Sequence, residues 1–210
     1  MSIAPRIIAI DGPAAAGKGT LAKRVAAHLG YDHLDTGSLY RAVASKTLRL
    51  GMSPEDAAKS FTVDDLNATD LRSEKVAQQA SVVAVIPAVR AALLAFQQDF
   101  ARKPPGGIGA VLDGRDVGTV VCPWPDTLKF FVTASIEARA RRRYDELRAR
   151  GESPMYASVF AEMAERDRRD SQRSAAPLKP ADDAILLDTS DLSADDVFQA
   201  ALAAIQGKTR

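Results

Sequence analysis

RIIAIDGPAAAGKGTLAKRVAAHLG, Arg6 to Gly30, decides the fold. A short apolar run ends at Asp11 and Gly12, a glycine-rich loop follows, and the remainder places its apolar residues at helical spacing before closing on Gly30. Strand, loop and helix in that order are the context that the pattern G-x-x-x-x-G-K needs if it is to hold phosphate. Gly12, Gly17 and Gly19 leave room for backbone N–H groups to crowd around phosphate oxygens. The helix N-terminus adds partial positive charge, and Lys18 can reach the terminal oxygens. A glycine-rich turn with a solvated lysine is the competing reading, and it leaves both flanks unexplained. The residue after Lys18 is Gly19 where Ser or Thr is usual, and the hydroxyl arrives one step later at Thr20. Magnesium is therefore expected to be reached through water from Thr20, or by Asp113 acting as a carboxylate ligand.

Outward from this loop the chain alternates strand and helix. Tyr31–Asp35, Gly109–Asp113, Thr127–Ala134 and Ala184–Asp188 read as four further strands, each followed by a helix candidate. Such alternation predicts an α/β fold of the P-loop type, a parallel five-stranded sheet flanked by helices, with ligands beyond the carboxyl ends of the strands. The aspartates closing three strands, Asp35, Asp113 and Asp188, are expected there. Between Leu50 and Lys75 the pattern dissolves into polar, turn-rich sequence and then returns to helix through Phe100, which predicts a small inserted lobe. One domain covering 1–210 is expected: a core of about 1–40, 104–138 and 174–210, a lobe of about 41–103 and a lid of about 139–173.

With 46% hydrophobic residues, 210 positions can bury a full core. Net charge is +1, from 28 basic and 27 acidic residues, so no global field favours nucleic acid or an anionic membrane. The N-terminal MSIAPRIIAID lacks the plan of a signal peptide, and no apolar run approaches a membrane span. A cytoplasmic monomer is expected. Cys122 is the single cysteine, which rules out an internal disulfide and a cysteine cage and leaves a buried spectator. His28 and His33 read as structural or surface residues.

Charge acts locally instead. Of 19 arginines, 10 lie between Arg139 and Arg173, against 9 lysines in the whole chain. Guanidinium groups grip phosphate with a planar fork of donors, and phosphoryl transfer needs charge neutralised where water is excluded. A lid closing around a Gly-Ser-Pro turn is one reading. Salt-bridged exposed helices are the other, since Glu and Asp are interleaved.

GPAAAGKGT, LDTGSLYR (Leu34 to Arg41), IPAVRAALL (Ile86 to Leu94), LDGRDVGTVVCP (Leu112 to Pro123) and ERDRRDSQRSAAPL (Glu165 to Leu178) together resemble the bacterial-type cytidylate kinases, a family of P-loop nucleoside monophosphate kinases. The motifs keep the family's order over nearly the whole chain. The resemblance implies reversible transfer of a phosphoryl group from MgATP to CMP or dCMP. Carried over position by position, it assigns ATP to Gly12, Pro13, Ala14, Ala15, Ala16, Gly17, Lys18, Gly19 and Thr20. Arg41, Arg115 and Arg173 are given to the acceptor phosphate, Arg166 and Asp170 to the sugar, Thr36 and Tyr40 to the pocket wall. Lys18, Arg115 and Arg173 would carry the transfer. Ser81, Arg90 and Asp116 are placed around the base, where their chemistry suits cytosine: a carboxylate accepts from the exocyclic amine, while arginine and serine donate to N3 and O2. The chain departs from longer members in the inserted lobe, where Thr62 to Lys75 stands in place of a small antiparallel sheet.

Two other classes share the phosphate loop. A kinase of a small hydroxylated metabolite would use Asp35 to position a hydroxyl and needs fewer arginines. A P-loop switch or nucleic-acid motor would show a basic groove, which the near-neutral charge disfavours.

Overall fold

The computed structural model describes residues 5–173 and 175–208. Five parallel strands, β1 (Ile7–Asp11), β2 (Asp32–Asp35), β3 (Ala110–Gly114), β4 (Thr127–Thr133) and β5 (Ile185–Asp188), form one sheet in the order β2-β3-β1-β4-β5. Every residue of β1 is buried, as expected of a central parallel strand covered on both faces. Ile8 and Ile10 pack with Leu21 and Val25 of α1 (Lys18–Leu29) and Val197 and Ala201 of α8 (Ala194–Lys208). Ile7 and Ala9 face the other way, onto Leu39 and Val43 of α2 (Thr36–Leu50) and Val89 and Leu93 of α5 (Pro87–Arg102).

All five expected strands form, but one expected helix does not. β3 is followed only by a π-helical turn, Val117–Val121, before the chain crosses to β4. The sequence RDVGTVVCP is too short for a crossover helix, and the turn is closed by Val121 and Cys122 N–H groups bonding back to the carbonyls of Asp116 and Val117. The inserted region contains α3 (Pro54–Lys59), a 3-10 turn at Val63–Asn67 and α4 (Glu74–Val83), with no strand between 50 and 75. Ser53 and Ser73 cap α3 and α4 by accepting N–H bonds from Asp56 and Val76.

The arginine-rich stretch forms a helical hairpin, α6 (Ile136–Ala149) and α7 (Tyr156–Gln172), turning at Gly151 with φ +83°. Its apolar contact is a small separate cluster of Ala140, Leu147, Val159 and Met163. The helices are riveted by Arg139, whose guanidinium donates to both oxygens of Asp167 at 3.1 and 2.7 Å. The expected lid-to-core boundary at 174 falls on a residue outside those described. Cys122 is fully buried, and burial pushes its thiol up to about 12, consistent with a spectator. His28 sits edge-on to Phe198. Among the described residues no single helix is long and apolar enough to cross a membrane.

Candidate active site

The loop between β1 and α1 has the shape of an anion cradle. No side chain caps α1, and Gly17 stands just before it at φ +91°, with Ala15 also left-handed at +57°. A non-glycine residue held there is uncommon and marks a backbone shaped for close approach. Gly12 serves another purpose than room for phosphate. A Cβ on it would lie 2.0 Å from the carbonyl oxygen of Val132, so it lets β1 leave the sheet tight against β4. Lys18 folds back, its Nζ donating to the Pro13 carbonyl at 3.2 Å. Burial, then repulsion from Arg115, lower its pKa to about 7 against the pull of Asp113 and Asp35.

Asp35 and Asp113 pair in register near the carboxyl ends of neighbouring strands, so both carboxylates project to the same face beside Lys18. A Cβ on Gly19 would stand 3.6 Å from Asp113 Oδ2, which puts the loop backbone over that carboxylate. Among the described residues no three His, Cys, Asp or Glu side chains gather into a metal cage. One carboxylate beside the phosphate loop, with the Thr20 hydroxyl nearby, suits a hard divalent ion that keeps its waters and takes phosphate oxygens. His33, read from sequence as structural or surface, holds Asp113: its Nε2 lies 2.7 Å from Oδ1. No local motif marked it, because the pairing spans 80 residues. Asp188 does not join this group; it accepts from the N–H and hydroxyl of Ser190 and shapes the turn before α8.

Beyond the carboxylates opens a cleft of about 970 Å³ between the sheet, α4 and α7. Arg41, Arg115 and Arg166 converge on it. Arg41 pairs with Asp35, and Arg115 Nε donates to Asp170 at 2.8 Å. Burial pushes Asp170 up, but the guanidinium of Arg115 outweighs it and holds the carboxyl below its ordinary range. Arg166 is less well matched: its Nε is buried with no hydrogen-bond partner. Burial and the neighbouring Arg115 lower its pKa to about 10.

At the far end Asp116 bridges two arginines, Arg90 on one oxygen and Arg173 Nη2 at 3.4 Å on the other. Tyr40 lies beneath, with the Arg90 guanidinium 5.7 Å from its ring centre. Ser81 donates to the Gln78 carbonyl at 2.8 Å and accepts from Arg169 at 2.7 Å. Thr36 also lines the cleft, its hydroxyl donating to the Asp113 carbonyl at 2.9 Å. The structure therefore brings every expected acceptor residue to this cleft, Thr36 among them.

The hairpin arginines divide between the two readings. Arg139, Arg141 and Arg168 are structural or surface ion pairs. Arg143, Arg150, Arg166, Arg169 and Arg173 line the cleft. Arg143 reaches across to Glu74 at 2.6 Å and Arg150 to the Arg72 carbonyl at 3.2 Å, joining the hairpin to α4. Arg142 lies at a second, smaller cavity of about 190 Å³ between α1 and the loop before α8. It donates to Thr189 Oγ1 at 3.0 Å, and that hydroxyl donates to the Ala16 carbonyl at 3.0 Å. Arg142 belongs to the arginine-rich stretch that the sequence singled out, whereas Thr189 carries no local motif and meets the phosphate loop only in the fold.

A phosphate loop facing a second basic chamber across two carboxylates defines a P-loop kinase. The family model for cytidylate kinase matches residues 8–65 and 57–207. A cytidylate kinase of Paramagnetospirillum magneticum is 61% identical over 96% of this chain and 98% of its own length. One from Methylocella silvestris is 56% identical over 95% and 94%. Among solved structures, a gluconokinase from Sinorhizobium meliloti 1021 superposes with a TM-score of 0.54 at 15% identity, covering 99% of this chain and 95% of its own, a likeness of fold alone. The chain belongs to the cytidylate kinase family.

Proposed function

We propose that the two chambers perform reversible transfer of the γ-phosphoryl group of MgATP to the phosphate of CMP or dCMP. The observation that carries this reading is the convergence of Arg41, Arg115 and Arg166 on one cleft, where the buried, unpartnered Arg166 Nε marks a surplus of desolvated cations that calls for an anion within the group. The phosphate loop takes the donor phosphates, and the cavity beside Arg142 takes the donor base. Lys18 follows the transferring group, and Asp113 and Thr20 would hold magnesium, which would supply charge neutralisation when bound. Arg41, Arg115 and Arg173 hold the acceptor phosphate, and Arg166 and Asp170 reach the sugar. Asp116, Arg90 and Ser81 read the base once the ligand displaces Arg169 from Ser81. A nucleotide phosphate is already deprotonated near neutrality, so alignment and screening replace a general base.

On this reading residues 41–103 form the acceptor lobe and 139–173 the lid, within one domain acting as a cytoplasmic monomer without nucleic-acid or membrane partners. The joining of Asp35 to Arg41 argues against a metabolite kinase, in which that carboxylate would stand free for a hydroxyl. A coupled assay of ADP formation with CMP, dCMP, UMP, AMP and a polyol tests the assignment. Turnover with CMP and dCMP well above the rest is expected, and a polyol preferred to CMP would overturn it.

A further inference from the structure

Asp11, the last residue of β1, is 4% exposed and accepts two backbone N–H bonds, from Val117 at 2.8 Å and Gly118 at 2.7 Å. Its partners lie 106 and 107 residues away and immediately follow Arg115 and Asp116. The first N–H groups of a helical turn have no partner within the turn. Here no side chain of the turn's own N-cap supplies one, and Asp11 reaches up from the sheet to do so.

The anchor is built into the sheet. Asp11 is fixed in the sheet between β3 and β4, and the next residue, Gly12, is pressed so closely on Val132 that no side chain fits there. Lys129 also packs against Gly118: a Cβ on Gly118 would lie 3.2 Å from Lys129 Cγ and 3.4 Å from Asp11 Oδ2. Lys129 is in turn tied to Asp183, with Nζ at 3.0 Å from each carboxylate oxygen. The start of the turn is thus held from below by one carboxylate and from the side by a pinned lysine stem. From that turn project the two residues that meet the acceptor, Arg115 toward Asp170 and Asp116 between Arg90 and Arg173.

We infer that Asp11 is a positioning residue for the acceptor, setting through the Val117 and Gly118 amides where Arg115 and Asp116 stand relative to the phosphate loop. The same short stretch of chain, Asp11 and Gly12, then references both halves of the reaction: Gly12 opens the donor loop and Asp11 fixes the acceptor loop. Transfer between two bound phosphates depends on their mutual placement, and a displacement of about 1 Å can cost ~100-fold in rate. The inference rests on the proposed cytidine acceptor.

Asp11→Asn keeps the shape but offers one acceptor oxygen to two N–H groups, turning its amide against the other. The expected result is a KM for CMP raised about 10-fold, kcat lowered several-fold, a KM for ATP within about 2-fold of the parent, and a smaller CMP/UMP ratio in kcat/KM. Amide exchange of Val117 and Gly118 should accelerate selectively. Gly118→Ala disturbs the same joint from the turn's side, its methyl meeting Lys129 Cγ and Asp11 Oδ2 while the β1 sequence is unchanged, and should raise the CMP KM about 3- to 10-fold with the ATP KM unchanged; it decides the matter if Asp11→Asn does not fold. Equal rises in the KM for ATP and CMP would make Asp11 a support of the phosphate loop and overturn the inference. So would unchanged kinetic constants with a lowered melting temperature. If the parent enzyme does not phosphorylate CMP, the functional reading fails first; if the parent does and neither variant moves the CMP constants, only the role of Asp11 falls.

Discussion

Replacing Arg166 with Met should make the ligand-free protein more stable and a far poorer enzyme. The guanidinium is desolvated, faces Arg115 and Arg41, and has an Nε without a partner. Its pKa is held at about 10, well below the ordinary guanidinium value, and at ~1.4 kcal/mol per pH unit this amounts to ~3 kcal/mol against the charged form. Solvent reaching the partly buried group screens some of it, leaving a gain of about 1–2 kcal/mol when methionine keeps the apolar stem and removes the charge. For a chain of this size the melting temperature should rise by about 2–8 °C. Catalysis moves the other way. Losing a charge-assisted hydrogen bond to the acceptor costs about 1.5–3 kcal/mol, so the CMP requirement should grow ~10- to 150-fold, with a much smaller effect on ATP. Thermal denaturation without ligand, paired with steady-state kinetics at varied CMP, reads both effects. A variant that melts below the parent would show that Arg166 is satisfied in the free protein, and an unchanged CMP requirement would remove it from the acceptor site.

Lys18 should take up a proton when nucleotide binds. Its free-state pKa of about 7 must rise beside phosphate oxygens, so at about pH 8 the free amine is mostly neutral and the bound one charged. Calorimetric titration with ATP in two buffers of different ionisation enthalpy measures this, and identical apparent enthalpies would contradict it. Asp116→Asn should lower the CMP/UMP ratio in kcat/KM by ~10-fold or more, because an amide can donate to the uracil carbonyl that a carboxylate repels. It should also destabilise the fold, since Arg90 and Arg173 lose the charge between them; equal loss for both substrates would mean that Asp116 only orients its neighbours. His33→Phe should raise the magnesium concentration for half-maximal rate by about 10-fold, by freeing Asp113 to rotate. Manganese binding to the nucleotide complex, followed by electron paramagnetic resonance, should weaken in parallel, and an unaltered affinity would leave His33 a structural residue.

What the sequence determined by itself were the features written in contiguous residues. Five strands, the phosphate loop between β1 and α1, the helical hairpin around Gly151 and the acceptor motifs are all local patterns, set by side-chain period, glycine placement and turn chemistry. The tertiary structure decided which carboxylate meets which cation. In sequence Asp35, Asp113 and Asp188 are alike, each closing a strand, yet in register the first two stand beside Lys18 while the third shapes a surface turn. The arginines of the hairpin are equally alike on paper, and only packing separates Arg139, riveting two helices, from Arg166, left facing the cleft. His33 with Asp113, and Asp11 with Val117 and Gly118, pair across 80 to 107 residues. Hydrogen bonds of that kind depend on strand order, and β3 lies beside β1 because a 74-residue excursion through the helices of the inserted lobe, 36–109, returns to the sheet there. Nothing within a few residues of Asp11 or His33 encodes that return, so their partners exist only once the sheet has closed.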